Sequence, residues 1–247
     1  MCTIVIGVGL PGSPGLYVIS NRDERLDRPA TPPRIRRRDA MRMLAPRDSV
    51  GGGTWIGLNE AGVFAGITNR FGRESGAHHR SRGLVVLEVL THETGASAIE
   101  WVRRESPRHY NGFHLVVADG HRGWVVCNDG RRLQVEELSP GFHVFSERSF
   151  GAAPSARLER MRRHLTTVDE LSAPVRRKLR GWMTHHDEDQ PLESTCVHLL
   201  GHDYGTRSST IVEVDTTWRF AHAAGPPCST AYREFSSEVD ELRGTSG

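Results

Sequence analysis

The amino-acid sequence predicts an α+β fold, because its strand and helix patterns are grouped along the chain instead of alternating. Runs of apolar and β-branched residues indicate the strands, and apolar residues at helical spacing indicate the helices. Strands are expected at 3–6, 16–19, 51–58, 63–69, 113–118, 124–127, 141–146, 210–214 and 218–223. Helices are expected at 83–92, 96–104, 154–165 and 171–185. The proline- and arginine-rich stretch from 25 to about 49 has no clear period and is predicted to be a loop.

Length and composition exclude several classes of protein. The chain has 247 residues, a net charge of +2 and 37% hydrophobic residues, so it can bury a core without disulfide bonds. The balanced charge argues against nucleic-acid binding. No stretch reaches the ~20 apolar residues of a membrane helix, and the first residues lack the basic segment of a signal peptide. We therefore expect a cytoplasmic protein with one domain over 1–243 and a flexible tail at 244–247.

The cysteines and histidines do not predict a metal site. None of the four cysteines belongs to a C-x-x-C pair, the usual spacing of a structural zinc site: Cys2, Cys127, Cys196 and Cys228. His198 and His202 have helical spacing, but Gly201 between them argues against a helix. We expect no metal and no cofactor.

Cys2 is the first candidate for chemistry. Removal of Met1, which is favoured by a small second residue, would leave Cys2 with both a thiol and a free α-amine. The reference pKa values of these groups are ~8.5 and ~7.7–8.0, so the amine can accept the thiol proton and one residue supplies both nucleophile and base. The alternative is that Cys2 is only a small apolar residue at the start of a buried strand.

A polar tetrapeptide, Asn21-Arg22-Asp23-Glu24, ends the second predicted strand. The hairpin between the two strands returns this segment toward Cys2. An aspartate can hydrogen-bond and orient the α-amine, and an arginine can hold a thiolate or a substrate carboxylate. The alternative is a solvated charged turn.

With these features, the sequence resembles the NRDE family of transport and Golgi organisation type proteins. The family begins with Met-Cys and a hydrophobic strand, followed by a strand that ends in N-R-D-E and by a nearby R-P, which Arg28-Pro29 matches. Five further motifs occur in the family's order, at 51–57, 65–69, 110–115, 138–141 and 204–210. The resemblance spans residues 1 to about 235.

The resemblance implies the four-layer αββα sandwich of the N-terminal nucleophile (Ntn) hydrolases, with two mostly antiparallel sheets. The family is similar to the cysteine-dependent choloylglycine hydrolase and penicillin acylase group. This similarity implies cleavage or transfer at a linear amide of a small acylated molecule, through a thioester on Cys2. Asp23 would then orient the amine, and Arg22 would hold or polarise the thiol. The choloylglycine-type pattern separates its arginine and aspartate by two residues, whereas Arg22 and Asp23 are adjacent.

Further motif residues are candidates for the same site. Asn69 is a candidate donor to an oxyanion, or it forms an Asx turn at a strand end. Arg207 is a candidate for holding a substrate carboxylate or the thiol, or it forms a structural ion pair. Four residues are expected to contact the substrate: Asn21, Trp55, Thr68 and Asn111.

One position departs from the family pattern. Many relatives carry Leu-Ser-Asn where this chain has Phe145-Ser146-Glu147, and an ionised carboxylate cannot donate to an oxyanion. Two alternatives to the enzyme therefore stay open: a haem- or lipid-related binding and trafficking protein, for which haem would be the cofactor, and a catalytically silent scaffold. The expected partner is a small acylated molecule, with no nucleic acid and no membrane span, and no oligomeric state is predicted.

Overall fold

A computed structural model describes residues 2–10, 15–72, 79–120, 122–168, 170–199 and 201–244. The strands are β1 Cys2–Val8, β2 Leu16–Arg25, β3 Ala30–Arg38, β4 Met41–Asp48, β5 Ile56–Asn59, β6 Phe64–Asn69, β7 Phe113–Ala118, β8 Gly123–Asn128, β9 Leu133–Glu137, β10 Gly141–Ser146, β11 His198–Leu199, β12 Tyr204–Val214, β13 Trp218–Ala223 and β14 Arg233–Glu234. The helices are α1 Gly83–Val89, α2 Gly95–Arg104, α3 Ala156–Leu165, α4 Ala173–Met183 and α5 Ser236–Arg243.

The strands form two antiparallel sheets. The first sheet has the order β10-β1-β2-β12-β13-β14, with β11 paired to β12, and the second is a meander from β3 to β9. In the first sheet β1 lies between β10 and β2, and its first residue, Cys2, pairs with Arg22. The β1–β2 hairpin therefore brings Cys2 beside the polar tetrapeptide.

Three apolar clusters show that the molecule has four layers. Alternate residues of each central strand point to opposite faces of a sheet, and here both faces are buried. The cluster between the sheets includes Ile4, Val18, Leu44, Phe64 and Val116. The outer face of the first sheet packs on α3 and α4 through Val5, Ile19, Leu158 and Leu179. The outer face of the second sheet packs on α1 and α2 through Leu115, Val117, Val86 and Ile99. The predicted α+β fold with an αββα sandwich is confirmed.

The prediction of a loop from 25 to about 49 is wrong. This stretch extends β2 and forms the β3–β4 hairpin, which is the edge of the second sheet. The arginines and prolines of β3 suit an edge strand, which pairs with only one neighbouring strand. On its free side the backbone N–H that proline lacks is not needed for pairing, and a charged side chain is tolerated. The pairing register shifts between Thr31 and Arg34, at the two prolines. The sequence prediction also missed the short elements β9, β11, β14 and α5.

The predicted tail lies mostly outside the described residues. Gly244 ends α5 in the left-handed conformation, with φ 70°, and 245–247 are not described. Among the described residues, no helix has the length and apolarity needed to cross a membrane.

Close backbone packing explains part of the glycine-rich motif at 51–57. A Cβ atom on Gly53 would lie 2.3 Å from the carbonyl carbon of Gly83 and 2.7 Å from the backbone nitrogen of Leu84. In the same place, the backbone N–H of Thr54 donates to the carbonyl of Gly83 over 3.1 Å. The segment before β5 is thus held directly against the start of α1.

We expect Gly53→Ala to destabilise the protein by about 1–3 kcal/mol, because the new methyl group would force two backbones apart. Gly181→Ala is the matched control: a Cβ atom there meets no heavy atom within 4 Å, and alanine favours a helix by about 0.5–1 kcal/mol over glycine. Urea denaturation measures both variants. Equal stability of the two variants would contradict the packing argument.

Candidate active site

A polar cavity of about 270 Å³ lies at the end of the first sheet where Cys2 begins β1. Its wall combines residues from the first sheet, from the segment before β5 and from the start of α1. The lining includes Cys2, Arg22, Asp23, Glu24, Arg28, Asp48, Gly51, Thr54, Trp55, Ile67, Asn69, Arg80, Ser81, Arg82, Gly83 and Asn111. The opening hairpin thus faces a space that can hold a small polar ligand.

Cys2 is half-buried as a residue, and its thiol lies among charged groups. Burial raises the pKa of this thiol above its usual range. The carboxylate of Asp23 raises it further, while the Arg22 guanidinium and a hydrogen bond from the Asp23 backbone lower it. Because burial has the largest effect, the thiol is mostly protonated at neutral pH and needs a base to become a nucleophile.

Arg22 is fixed as a cation at the cavity wall. Its side chain is almost fully buried, its Cζ lies 4.3 Å from the centroid of the Trp55 ring, and its Nη2 lies 3.6 Å from Glu24 Oε2. Stacking on an aromatic face and a nearby carboxylate both stabilise a guanidinium. Arg22 therefore presents a positive charge beside Cys2.

Asp23 carries a buried carboxylate on the face of the first sheet that packs against the helices α3 and α4. Thr206 Oγ1 donates to Asp23 Oδ1 over 2.6 Å, and Arg157 Nη1 of α3 lies 3.5 Å from Asp23 Oδ2. Burial raises the pKa of Asp23 to about 6, although Arg157 and Thr206 act to lower it. Asp23 therefore titrates close to neutral pH.

Arg157 and Glu147 form the support behind Asp23, and sequence analysis did not predict this pair. Arg157 Nη2 donates to both carboxylate oxygens of Glu147, over 2.8 and 2.7 Å. Arg157 Nη1 donates to the carbonyl of Ser194 over 3.2 Å. Glu147 is therefore the ion-pair partner of the arginine that supports Asp23.

The sequence contained a signal for Arg157. Its spacing to Met161 and Leu165 is that of one helix face, and both of those residues are buried. An arginine on the apolar face of an amphipathic helix is almost never buried without a partner. The position of Arg157 therefore predicts a buried carboxylate as its partner, although the helical spacing alone does not identify that partner as Asp23 or Glu147.

Six of the nine predicted site residues line the cavity: Cys2, Arg22, Asp23, Trp55, Asn69 and Asn111. Asn69 ends β6 and also lines a second cavity of about 610 Å³. That cavity shares Glu24 and Asn69 with the first and is otherwise lined by Arg70, Phe71, Gly72, Glu147 and Tyr204. Asn69 therefore stands where two adjoining spaces meet.

The other three predicted residues lie elsewhere. Asn21 donates from Nδ2 to the carbonyls of Met183 and Thr195, so it ties the first sheet to α4. Thr68 is buried and contacts His114 Nδ1 over 3.3 Å.

Arg207 is the third residue outside the cavity. It lies at the register shift between β12 and β2, and it donates to the carbonyl of Arg28 over 3.3 Å. It lines a separate small cavity of about 70 Å³ on the other side of Arg22 and Trp55. The structure therefore does not bring Asn21, Thr68 or Arg207 to the space beside Cys2.

Comparison with known proteins identifies the family. The family model for Transport and Golgi organisation 2 matches residues 1–222. The chain belongs to this family. It is 30% identical over 139 residues to the Transport and Golgi organization protein 2 homologs of Bos taurus and Homo sapiens. Those alignments cover 53% of this chain and 50% of each relative, so the match spans about half the length of these family members.

Solved structures with the same fold include an acylase, an amidase and a bile acid hydrolase. Penicillin V acylase from Agrobacterium tumefaciens superposes with a TM-score of 0.59 at 12% identity, over 96% of this chain and 88% of that one. The Caenorhabditis elegans ortholog of N-acylethanolamine-hydrolyzing acid amidase has a TM-score of 0.57 at 14% identity, over 85% of this chain and 92% of that one. A C2A mutant of the conjugated bile acid hydrolase from Clostridium perfringens has a TM-score of 0.56 at 11% identity, over 99% of this chain and 94% of that one. The likeness confirms the expected Ntn-hydrolase fold for this family member.

We expect Arg157→Met to destabilise the protein by about 3–5 kcal/mol, because it leaves Asp23 and Glu147 buried without their shared cation. The control is Arg163→Met on the exposed face of the same helix, for which a change within about 0.5 kcal/mol is expected. Denaturant unfolding measures both. If Arg157→Met were as stable as Arg163→Met, Arg157 would not be the support of the two carboxylates.

Proposed function

We propose that the protein is an N-terminal-cysteine amidohydrolase or acyltransferase that acts on a linear amide, ester or thioester of a small acylated molecule. Cys2 is the nucleophile after removal of Met1, and the acyl group is carried as a Cys2 thioester. The observation that carries this proposal is that Cys2 opens the first strand of an Ntn-hydrolase fold, at a cavity shared with Asp23 and Arg22. The reaction needs no cofactor.

The charges around Asp23 favour a cation at the start of Cys2. One guanidinium, Arg157, serves two buried carboxylates, Asp23 and Glu147. The ammonium that forms when the α-amine of Cys2 takes the thiol proton would be stabilised by these carboxylates, since buried charges require partners.

In the proposed reaction the α-amine of Cys2 takes the proton of its own thiol, and Asp23 holds the resulting ammonium in place. The thiolate attacks the carbonyl carbon of the substrate, and the C–N bond of an amide, the C–O bond of an ester or the C–S bond of a thioester breaks as the ammonium returns its proton to the leaving group. Water, or an acceptor amine or alcohol, then cleaves the thioester and releases the thiol. Because burial raises the pKa of the Cys2 thiol, an adjacent base is needed at neutral pH.

Two further residues have proposed roles. Arg22 stabilises the thiolate, because its guanidinium is held beside Cys2 by Trp55. Asn69 donates its side-chain amide to the oxyanion, because it lies at the meeting point of the two cavities. Loss of one such donor typically costs about 10²–10³ in rate.

The two cavities that meet at Asn69 indicate the general class of the substrate. The first cavity is rich in charged groups, and the second carries the aromatic rings of Phe71 and Tyr204. We infer that the scissile bond and its polar part lie in the first cavity and the acyl chain in the second. The names of the similar structures describe an acylase, an amidase and a conjugate hydrolase, which supports this class of chemistry.

The second candidate is a haem- or lipid-related binding and trafficking protein without hydrolysis. The names of the family's curated members, which refer to transport and Golgi organisation, favour it. In that case Cys2 would not be acylated, and haem would be the cofactor only if it is the bound molecule.

All four cysteines are free thiols in the structure, which supports a cytoplasmic location under either function.

We expect intact-mass analysis to show loss of the Met1 residue and, after incubation with a panel of p-nitrophenyl acyl esters, one acyl group on Cys2. Cys2→Ala should abolish the adduct. Asp23→Asn should slow its formation by about 10²-fold or more, since it removes the group that orients the base. The control is Asp27→Asn, an exposed carboxylate paired with Arg25, which should leave the rate unchanged.

Acylation of Cys228 but never of Cys2, or retention of Met1 on protein that forms the adduct, would contradict the proposal. A haem titration of the same samples separates the second candidate. A Soret band that persists in Asp23→Asn, together with no acyl adduct on the wild type, would favour binding over catalysis.

A further inference from the structure

Two cysteines and two histidines converge on the face of the molecule behind Asp23. Cys196 lies just before β11, His198 begins β11, His186 follows α4, and Cys228 lies between β13 and β14. Cys196 Sγ is 3.6 Å from Cys228 Sγ and 3.4 Å from His198 Nε2, and His198 Nε2 is 3.2 Å from Cys228 Sγ. One ligand atom each from His186, His198 and Cys228 falls within 4.8 Å of the others.

These distances match the edges of a tetrahedral zinc site. With Zn–S of about 2.3 Å and Zn–N of about 2.0–2.1 Å, a tetrahedron places two sulfur atoms about 3.8 Å apart and a sulfur and a nitrogen about 3.6 Å apart. The observed sulfur–sulfur distance is 3.6 Å and the sulfur–nitrogen distances are 3.2 and 3.4 Å. One ion could therefore contact all three atoms after shifts of a few tenths of an ångström.

We propose that Cys196, His198 and Cys228 bind a structural zinc ion, and that the exposed side chain of His186 turns toward these three to supply the fourth ligand. Zinc binds thiolate sulfur and neutral imidazole nitrogen, and a set of two cysteines and two histidines closes its coordination shell. On binding, the two thiols release their protons to solvent. A cavity of about 530 Å³ borders the cluster and carries Asp187 and Glu188, whose charges favour a cation there.

The spacing of these ligands explains why the sequence did not suggest a metal. Cys196 and His198 are two positions apart in an extended segment and share a face, whereas Cys228 and His186 are brought to them only by the tertiary fold. The proposal departs from our sequence-based expectation of no metal, which relied on the absence of a C-x-x-C pair.

A metal here would brace the segment that supports the candidate active site. The carbonyl of Thr195 accepts from Asn21 Nδ2 over 2.7 Å. The backbone N–H of Val197 donates to Thr206 Oγ1 over 2.7 Å, and that hydroxyl donates to Asp23 Oδ1. Since Cys196 lies between these two residues, an ion that holds Cys196 would also fix the backbone that positions Asp23. Zinc binding itself does not depend on whether Cys2 is a nucleophile.

The test uses the full chain with Cys2→Ala, which removes the thiol of the other site. The protein is reduced, freed of metal with a chelator and titrated with Zn²⁺ and with Co²⁺. We expect about one zinc ion per chain by mass spectrometry. We also expect the Co²⁺ form to show thiolate-to-cobalt charge-transfer bands and the intense visible absorption of a tetrahedral site.

Variants identify the ligands. Cys228→Ser and His198→Ala should each weaken zinc binding by at least tenfold, and Cys196→Ser should do the same if it folds. Cys228 is exposed, so its substitution keeps the test valid if the buried Cys196 variant unfolds. Cys127→Ser is the thiol control, and His202→Ala, at the edge of the neighbouring cavity, is the imidazole control; both should bind zinc like the parent.

Two results would overturn the proposal. One is a reduced, folded chain that binds no stoichiometric zinc. The other is a loss of affinity in Cys127→Ser or His202→Ala as large as the loss in Cys228→Ser.

Discussion

The contact of Arg157 with two buried carboxylates is the interaction on which the rest of the candidate site depends. Burying a charge costs several kcal/mol unless a partner and hydrogen bonds compensate it. Arg157 pairs with Glu147 and lies 3.5 Å from Asp23, and Thr206 adds a short hydrogen bond to Asp23. Even so, the pKa of Asp23 is raised to about 6. The fold therefore holds Asp23 in place at a cost in stability, as expected for a group kept for chemistry rather than for folding.

Strand β2 joins the two halves of the site because its residues alternate between the faces of the first sheet. Asn21 and Asp23 point to the helix layer, where α4 and α3 hold them. Arg22 points to the second sheet and stacks on Trp55. Since Cys2 pairs with Arg22, a short stretch of one strand can place a base-orienting carboxylate and a thiolate-stabilising cation on either side of the nucleophile.

The sequence predicted the parts of the fold and site that depend on local pattern. The opening hairpin follows from apolar runs and a glycine-rich turn, and it places Cys2 beside Asp23 as expected. The β3–β4 hairpin was missed because its edge strand is rich in arginine and proline, residues that in most contexts indicate a loop. Arg157 was missed because its partners are far away in the chain. Arg207 was predicted at the site from its motif, but a register shift between β12 and β2 turns it to a neighbouring cavity.

The most direct measurement of the central claim is the free energy of unfolding of the wild type and of Asp23→Asn between pH 4.5 and 7.5. The pKa of Asp23 is about 6 in the folded protein and ordinarily 3.8. The folded state therefore binds the proton more tightly, and stability falls as pH rises through this window. Asp23→Asn lacks this loss, so its stability relative to the wild type should grow by about 2 kcal/mol from pH 4.5 to 7.5. The account would be contradicted if the stability of Asp23→Asn relative to the wild type did not change with pH, or fell as pH rises. Either result would mean that Asp23 is not a buried carboxylate with a raised pKa beside Cys2.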